Sequence, residues 1–412
     1  AAVRAVAAVE AAEAAVAAPR GAHFELGGLG GKALANAALP LDAYPKKSEV
    51  MAAIPAECFE RDTLRSMMFA LTSAALTLAC FAVGASGAIP LAWSWAPAWL
   101  LYGFVTGTVA TGCWVAAHEC GHGAFSDNRT LQDAVGYVLH SALLVPYFSW
   151  QRSHAVHHAR TNHLTEGETH VPAVAGTDKG DLGFKIKGAI GEGPWALFNS
   201  VIVFLFGWPA YLLFGATGGT SRGTTNHFIP TKPFSDALFE ANVWKKKVWL
   251  SDVGIVAMCA ALWQWASVAG AAQVALCYAL PLAFTNIWLV LYTWLQHTDT
   301  DVPHFEEKDW TYIKGAFMTI DRPYGPIFDF LHHRIGSTHV AHHVDHRIPH
   351  YNAVKATEAL KKAFPEYYLY DPTPVHKAMW RVAMECIAVR KTPAKVGATG
   401  QDLYVFVPPA SA

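Results

Sequence analysis

From Ser66 to Ala117 the chain contains no Asp, Glu, Lys or Arg, and an uncharged run of that length confines it to folds that bury it in lipid. About 20 apolar residues cross a bilayer, so the run is too long for a single span. Gly84, Gly87, Pro90 and Pro97 interrupt it near the middle, which predicts two helices joined by a short luminal turn. Trp93, Trp95 and Trp99 at that turn suit the aromatic belt of a membrane interface. Lys46, Lys47, Arg61 and Arg65 lie just before the first helix and place its start in the cytoplasm by the positive-inside rule. Composition agrees, with 53% hydrophobic and 15% charged residues and a mean hydropathy of +0.22. A formal net charge of −1 supplies no basic surplus, which excludes nucleic acid as the partner.

The second helix returns to the cytoplasmic face and ends on His118-Glu119-Cys120-Gly121-His122. Two further clusters share its character: His154, His157 and His158 after Ser153, and His339, His342 and His343 after Thr338. Residues three and four apart share a helix face, so each cluster can turn its imidazoles toward one metal ion. With 20 histidines in 412 residues, an H-x-x-H-H pattern is expected by chance about 0.05 times in the whole chain. Two copies beside an H-x-x-x-H therefore read as ligand sets rather than scattered histidines.

Convergence of three clusters on one site limits how the rest of the chain can cross the membrane. Ala134–Trp150, short and interrupted by Pro146, separates the first two clusters and is expected to lie at the interface. Three apolar stretches separate the second cluster from the third: Trp195–Phe214, Val253–Ala269 and about Ala272–Leu295. An odd number of crossings would strand the third cluster on the far side. One stretch must not span, and Trp195–Phe214, broken at Gly207-Trp208-Pro209, is the expected one. Lys245, Lys246 and Lys247 are then cytoplasmic. The expectation is an all-α integral membrane protein with about four transmembrane helices and a cytosolic cap of histidine clusters.

His118-Glu-Cys-Gly-His122-Gly-Ala-Phe-Ser126, Leu143-Leu-Val-Pro-Tyr-Phe-Ser-Trp150 and Ile348-Pro-His-Tyr-Asn352, taken with the cluster spacing, resemble the membrane fatty-acid desaturases. The likeness is to the delta-12 (omega-6) and omega-3 acyl-lipid branch. Residues 39–390 are then the desaturase domain, 1–38 a mobile Ala/Gly-rich tail and 391–412 a C-terminal tail. Ligand type alone leaves the metal open, because neutral imidazole suits zinc, copper, iron or nickel. The eight clustered histidines suffice for two ions with open positions; the resemblance implies that both are iron, and that a further ligand comes from the end of the last span, where His297 stands. It implies an oleoyl substrate converted to linoleoyl with O2 and two electrons. Omega-3 desaturation, and hydroxylation or epoxidation on the same scaffold, stay open.

The chain carries no haem or dinucleotide motif, since Gly27-Gly28-Leu29-Gly30-Gly31 lies in the tail and follows no expected strand. The resemblance implies a separate donor: cytochrome b5 and its reductase at the endoplasmic reticulum membrane, or ferredoxin in a plastid membrane. Arg4 and Arg20 among alanines suggest plastid targeting, and Glu10 and Glu13 oppose it. A homodimer is compatible with the same family. A membrane metal transporter is the reading from a different class, and the lack of charged residues in the expected spans counts against it. Glu119, Glu168 and Asp345 are candidate carboxylates for orienting the imidazoles, whereas His163, His170 and His350 are expected to be structural. Seven scattered cysteines without a C-x-x-C pair indicate no disulfide framework and a reducing compartment.

Overall fold

The computed structural model describes residues 27–393 and 402–407. α1 (Lys32–Ala37) and α2 (Lys47–Ala53) lead into α3 (Thr63–Ala85), which starts where Asp62 accepts the Arg65 amide proton at 3.0 Å. A turn carrying Trp93 and Trp95 hands the chain to α4 (Ala96–His122), which opens with Pro97 in its first turn and closes on Gly123 at φ 72°. α3 turns Leu64, Met68, Leu71 and Leu78 outward, as a lipid-facing helix must. α5 (Arg129–Ala142), capped by Asn128, and α6 (Tyr147–Ala159), opened by Pro146, follow as short helices beside the bundle. Then come α7 (Asp178–Ile190), α8 (Glu192–Phe214), α9 (Asn242–Ala269) and α10 (Ala271–His297).

α4 is the buried centre of the membrane part. A Cβ on Gly107 would stand 2.4 Å from the Pro281 carbonyl oxygen, and one on Gly103 2.5 Å from the Leu280 side chain. Only glycines four apart let α4 and α10 close to this distance, the usual device for helix pairing in lipid. Buried Trp288 adds an indole N–H to Thr108 Oγ1 at 2.8 Å across the same seam.

The cap comprises α11 (Tyr312–Ala316), α12 (Pro326–Leu331), α13 (His339–Val344), α14 (His350–Ala363) and α15 (Val375–Glu385). Val340, Ala341 and Val344 of α13 bury against Ala353, Ala356 and Leu360 of α14 and against Val50 and Ile54. A small sheet completes the cap: β1 (Ala173–Val174) pairs parallel with β2 (Ala388–Pro393), which pairs antiparallel with β3 (Asp402–Phe406).

Among the described residues, five helices are long and apolar enough to cross a bilayer, one more than the expected four: α3, α4, α8, α9 and α10. The extra one, α8, is the stretch expected not to span. Pro209 sits inside it without ending it, so the broken motif is not what decides the matter. Packing does. Near its start, Ala196 clusters with Trp294 and Leu295 of α10, and Asn199 donates to the Ala383 carbonyl of α15 at 2.9 Å. Near its end, Tyr211 reaches Ser153 and Glu168, beside the second histidine cluster. Both ends are held by segments on the histidine side. Between Ala196 and Leu212 the helix covers about 24 Å of its own length, while its partners on α10 shift only from Leu295 to Leu289. α8 therefore runs across α10, with Leu197, Val201, Leu205 and Phe206 turned out to lipid.

Part of each expected tail packs against the cap. Ala33 and Ala37 of α1 are buried with Val302, Phe305 and Met318, and Leu403 of β3 joins the same cluster. Residues 27–38 and 402–406 thus belong to the folded cap, because small or apolar side chains find cover there that composition alone does not reveal. Residues 1–26, on which most of the mobile-tail and targeting expectations rest, lie outside the described residues.

Candidate metal centre

α4 ends with His118 and His122 one turn apart, α6 presents His154, His157 and His158, α10 ends on His297, and α13 carries His339, His342 and His343. These nine side chains converge as two sets. In the first, one ring nitrogen each from His118, His122, His154, His158 and His342 lie within 4.8 Å of one another. In the second, His157, His297 and His343 meet the same limit, and His339 Nε2 stands 2.9 Å from His297 Nε2. Neighbouring helical turns supply both sets, since His157 and His158 point to different partners.

The donor chemistry fits cations. His118 Nε2 lies 3.0 Å from His154 Nε2 and 3.1 Å from His122 Nε2, and His157 Nε2 lies 3.1 Å from His297 Nε2. A neutral ring has one N–H and one lone pair, so several ring nitrogens aimed at one point cannot all satisfy one another. Nε2 of His342 and of His343 is buried with no hydrogen-bond partner among the described residues. Burial, reinforced by the neighbouring imidazoles, holds His154, His158, His339, His342 and His343 well below the ordinary histidine pKa, and burial pushes His157 to about 3. Neutral rings are the form that binds metal.

Among the candidate orienting carboxylates, Glu119 comes nearest: its Oε1 lies 3.9 Å from His118 Nδ1, beyond hydrogen-bond reach, and its Oε2 accepts the His350 amide proton at 2.8 Å. Asp345 instead takes a bidentate ion pair with Arg347, and Glu168 faces Tyr211, so neither touches a clustered histidine. His163 bonds to Glu307, His350 stacks edge-on against Phe69, and His170 lies 5.3 Å from His297, ring to ring. The structure adds one residue the sequence reading passed over: His346, whose ring lies 4.8 Å from that of His122 and 5.2 Å from that of His158. Its four-residue spacing from His342 was the available signal.

A cavity of about 370 Å³ opens onto this centre, with His154 and His157 on its wall. Trp114, Trp150, Trp208, Leu289, Val290 and Ile387 make it predominantly apolar, and α8 closes one side. A metal centre at the side of an apolar cavity can act on a hydrocarbon chain. The family model for fatty acid desaturases matches residues 92–374. The chain belongs to the fatty acid desaturase family. Similar proteins include the "Delta(12)-fatty-acid desaturase" of Arabidopsis thaliana, 41% identical over 82% of this chain and 85% of the relative. The "Delta(12) fatty acid desaturase" of Mortierella isabellina is 40% identical over 82% of this chain and 86% of its own. The "Omega-6 fatty acid desaturase, endoplasmic reticulum" of Brassica juncea is 40% identical over 83% and 86%. The desaturase is thus an oxidoreductase, and its histidine sets could hold the metal on which the family depends.

Proposed function

We propose that this desaturase is a delta-12 (omega-6) enzyme that inserts a second cis double bond into oleoyl chains, using two irons held by the two histidine sets. The observation that carries the reading is the apolar cavity walled by His154 and His157, one from each set. The delta-12 names of relatives at 40–41% identity support the position of the new bond. His118, His122, His154, His158 and His342 would hold one iron, and His157, His297, His339 and His343 the other. When bound, the pair supplies the oxidising power of O2 and two electrons that an unactivated methylene requires.

The chain's own part is positional. Tryptophans 114, 150 and 208 and the α8 wall fix which two carbons of the acyl chain stop beside the histidines. Each methylene contact is worth only about 0.8 kcal/mol, so selectivity comes from many contacts along the cavity. Electrons come from outside: cytochrome b5 with its reductase fits an enzyme of the endoplasmic reticulum membrane, the location in the name of the Brassica juncea relative.

The reading is tested by expressing the chain, beside a His342→Ala variant, in a eukaryotic host that makes oleate and no dienes. Gas chromatography with mass spectrometry should show an 18-carbon diene unsaturated at carbons 9 and 12 from the wild type, and none from the variant. A triene formed only when linoleate is fed would make the enzyme an omega-3 desaturase instead, and a hydroxylated product would replace the reaction type.

A further inference from the structure

Beyond the two histidine sets, a buried polar cluster touches the acyl cavity. Tyr211 lines the cavity wall. Its hydroxyl oxygen lies 3.0 Å from Glu168 Oε2 and 2.7 Å from Ser153 Oγ, and Ser153 Oγ lies 2.8 Å from His227 Nε2. All four residues are buried. At the far end, His227 Nδ1 lies 3.3 Å from the Leu212 carbonyl oxygen, which can only accept, so Nδ1 carries a proton.

Ser153 Oγ also lies 3.1 Å from the Trp150 carbonyl oxygen, which competes for its single proton; when that proton stays within the cluster, donor counting gives two arrangements. In the first, neutral His227 accepts at Nε2 from Ser153, Ser153 accepts from Tyr211, and Tyr211 accepts from Glu168, which must be a carboxylic acid. In the second, Glu168 is ionised and accepts from Tyr211, Ser153 donates to Tyr211, and His227 donates from both nitrogens as an imidazolium. The two contain the same atoms. They differ by one proton moved from Glu168 to His227 through hops of the bridging hydrogens. Burial favours the first: it pushes the Glu168 carboxyl up to about 8, against the pull of Tyr211 and Arg222, and pushes the His227 imidazole down to about 4, against the Leu212 carbonyl.

We propose that Glu168, Tyr211, Ser153 and His227 form a proton relay that keeps one proton on Glu168 and delivers it through the Tyr211 hydroxyl into the acyl cavity. The proposal rests on the desaturase reading, whose balance demands protons: one saturated two-carbon segment, one O2, two electrons from the external donor and two protons give one double bond and two waters. The cavity lining is mostly apolar, with Lys179 and histidines among its polar members, and Tyr211 is the lining residue whose hydroxyl lies against a buried carboxyl. On delivery the Tyr211 O–H bond breaks and its proton joins an oxygen leaving as water. The Glu168 proton replaces it on Tyr211, the resulting carboxylate is reprotonated from solvent water, and a second such cycle supplies the second proton of the turnover.

The test uses the full-length, iron-loaded protein in lipid nanodiscs, as wild type, Glu168→Gln and Tyr211→Phe. Infrared difference spectra in H2O and D2O read protonated carboxyls without any turnover. We expect a carboxylic-acid C=O band that is absent in Glu168→Gln and shifted in Tyr211→Phe, with iron per chain unchanged. With reductant and O2 supplied, diene formed per O2 consumed should fall about tenfold or more in both variants, with peroxide released, since a positioned acid contributes about 10²–10⁴ in rate. Absence of the band, or unchanged coupling in both variants, overturns the relay. Iron lost in step with activity overturns it too, because the cluster would then only support His154. A wild type that shows the band and makes no diene would sink the delta-12 reading while leaving the protonated carboxyl established.

Discussion

Glu119 stands between the first histidine set and the cap, with His118 Nδ1 at 3.9 Å on one side and the His350 amide on the other. It is buried, so its charge acts on His118 through little solvent. Glu119→Gln keeps the shape and an acceptor for His350 and removes only the charge. Iron affinity should fall about 10–100-fold, as losses of carboxylates behind ligand histidines do, measured as iron retained against rising chelator. Retention equal to wild type would assign Glu119 to packing alone. The convergence of the nine histidines was legible because the spacing that puts imidazoles on one helix face is a local property of sequence, and that of His297 because it ends a span at the level of the clusters. The partners of Glu168 and Asp345 were not legible: Tyr211 lies 43 positions from Glu168, and Arg347 captures Asp345 from two positions away. A carboxylate's nearest histidine in sequence is a poor guide where the fold brings a closer donor.

At the scale of the element, α8 shows what hydropathy settles and what it leaves to packing. Its composition is that of a span, and its length of 23 residues is sufficient. Its packing lays it across α10, and topology agrees, since the segments after it must return His339, His342 and His343 to the side of His154. α9 and α10 make one such return, and a third crossing would undo it. Single cysteines at Lys185 and Ser221, exposed positions before and after α8, should therefore react with a membrane-impermeant maleimide from the same side of sealed microsomes. Labelling of Ser221→Cys only after permeabilisation would make α8 a fifth crossing and would require a different route for α9 or α10. The parity of the clusters was readable from sequence. The true ends of the cap were not, because α1 and β3 gain their burial from Val302, Phe305 and Met318, far along the chain.

The whole molecule depends on a joint between the membrane helices and the cap, because the second histidine set draws His297 from α10 and His339 and His343 from α13. Four fully buried charges make that joint. Arg322 bonds to Asp299 at 2.8 Å and to Asp371, and Arg381 of α15 bonds to Asp299 at 2.6 Å and to Asp371 at 2.7 Å. Arg322 Nε also donates to the Leu295 carbonyl at 2.9 Å, inside the last turns of α10 and two residues before His297. Two cations and two anions balance, and the arrangement fixes how the end of α10 meets the cap. Asp371→Ala removes one of the two carboxylates that both Arg322 and Arg381 bond, and removing one partner of a buried ion pair costs about 3–5 kcal/mol. The melting temperature in detergent should fall for Asp371→Ala, and iron should be lost from the second set before the first, because His297 is the ligand attached to the disturbed joint. Iron per chain near half the wild-type value, with the bundle still helical by circular dichroism, is the expected intermediate. Loss of both irons together would mean that the two sets share one cooperative unit. Full iron retention in a destabilised protein would show that the joint supports the cap without holding His297, leaving the glycine seam between α4 and α10 to place that histidine.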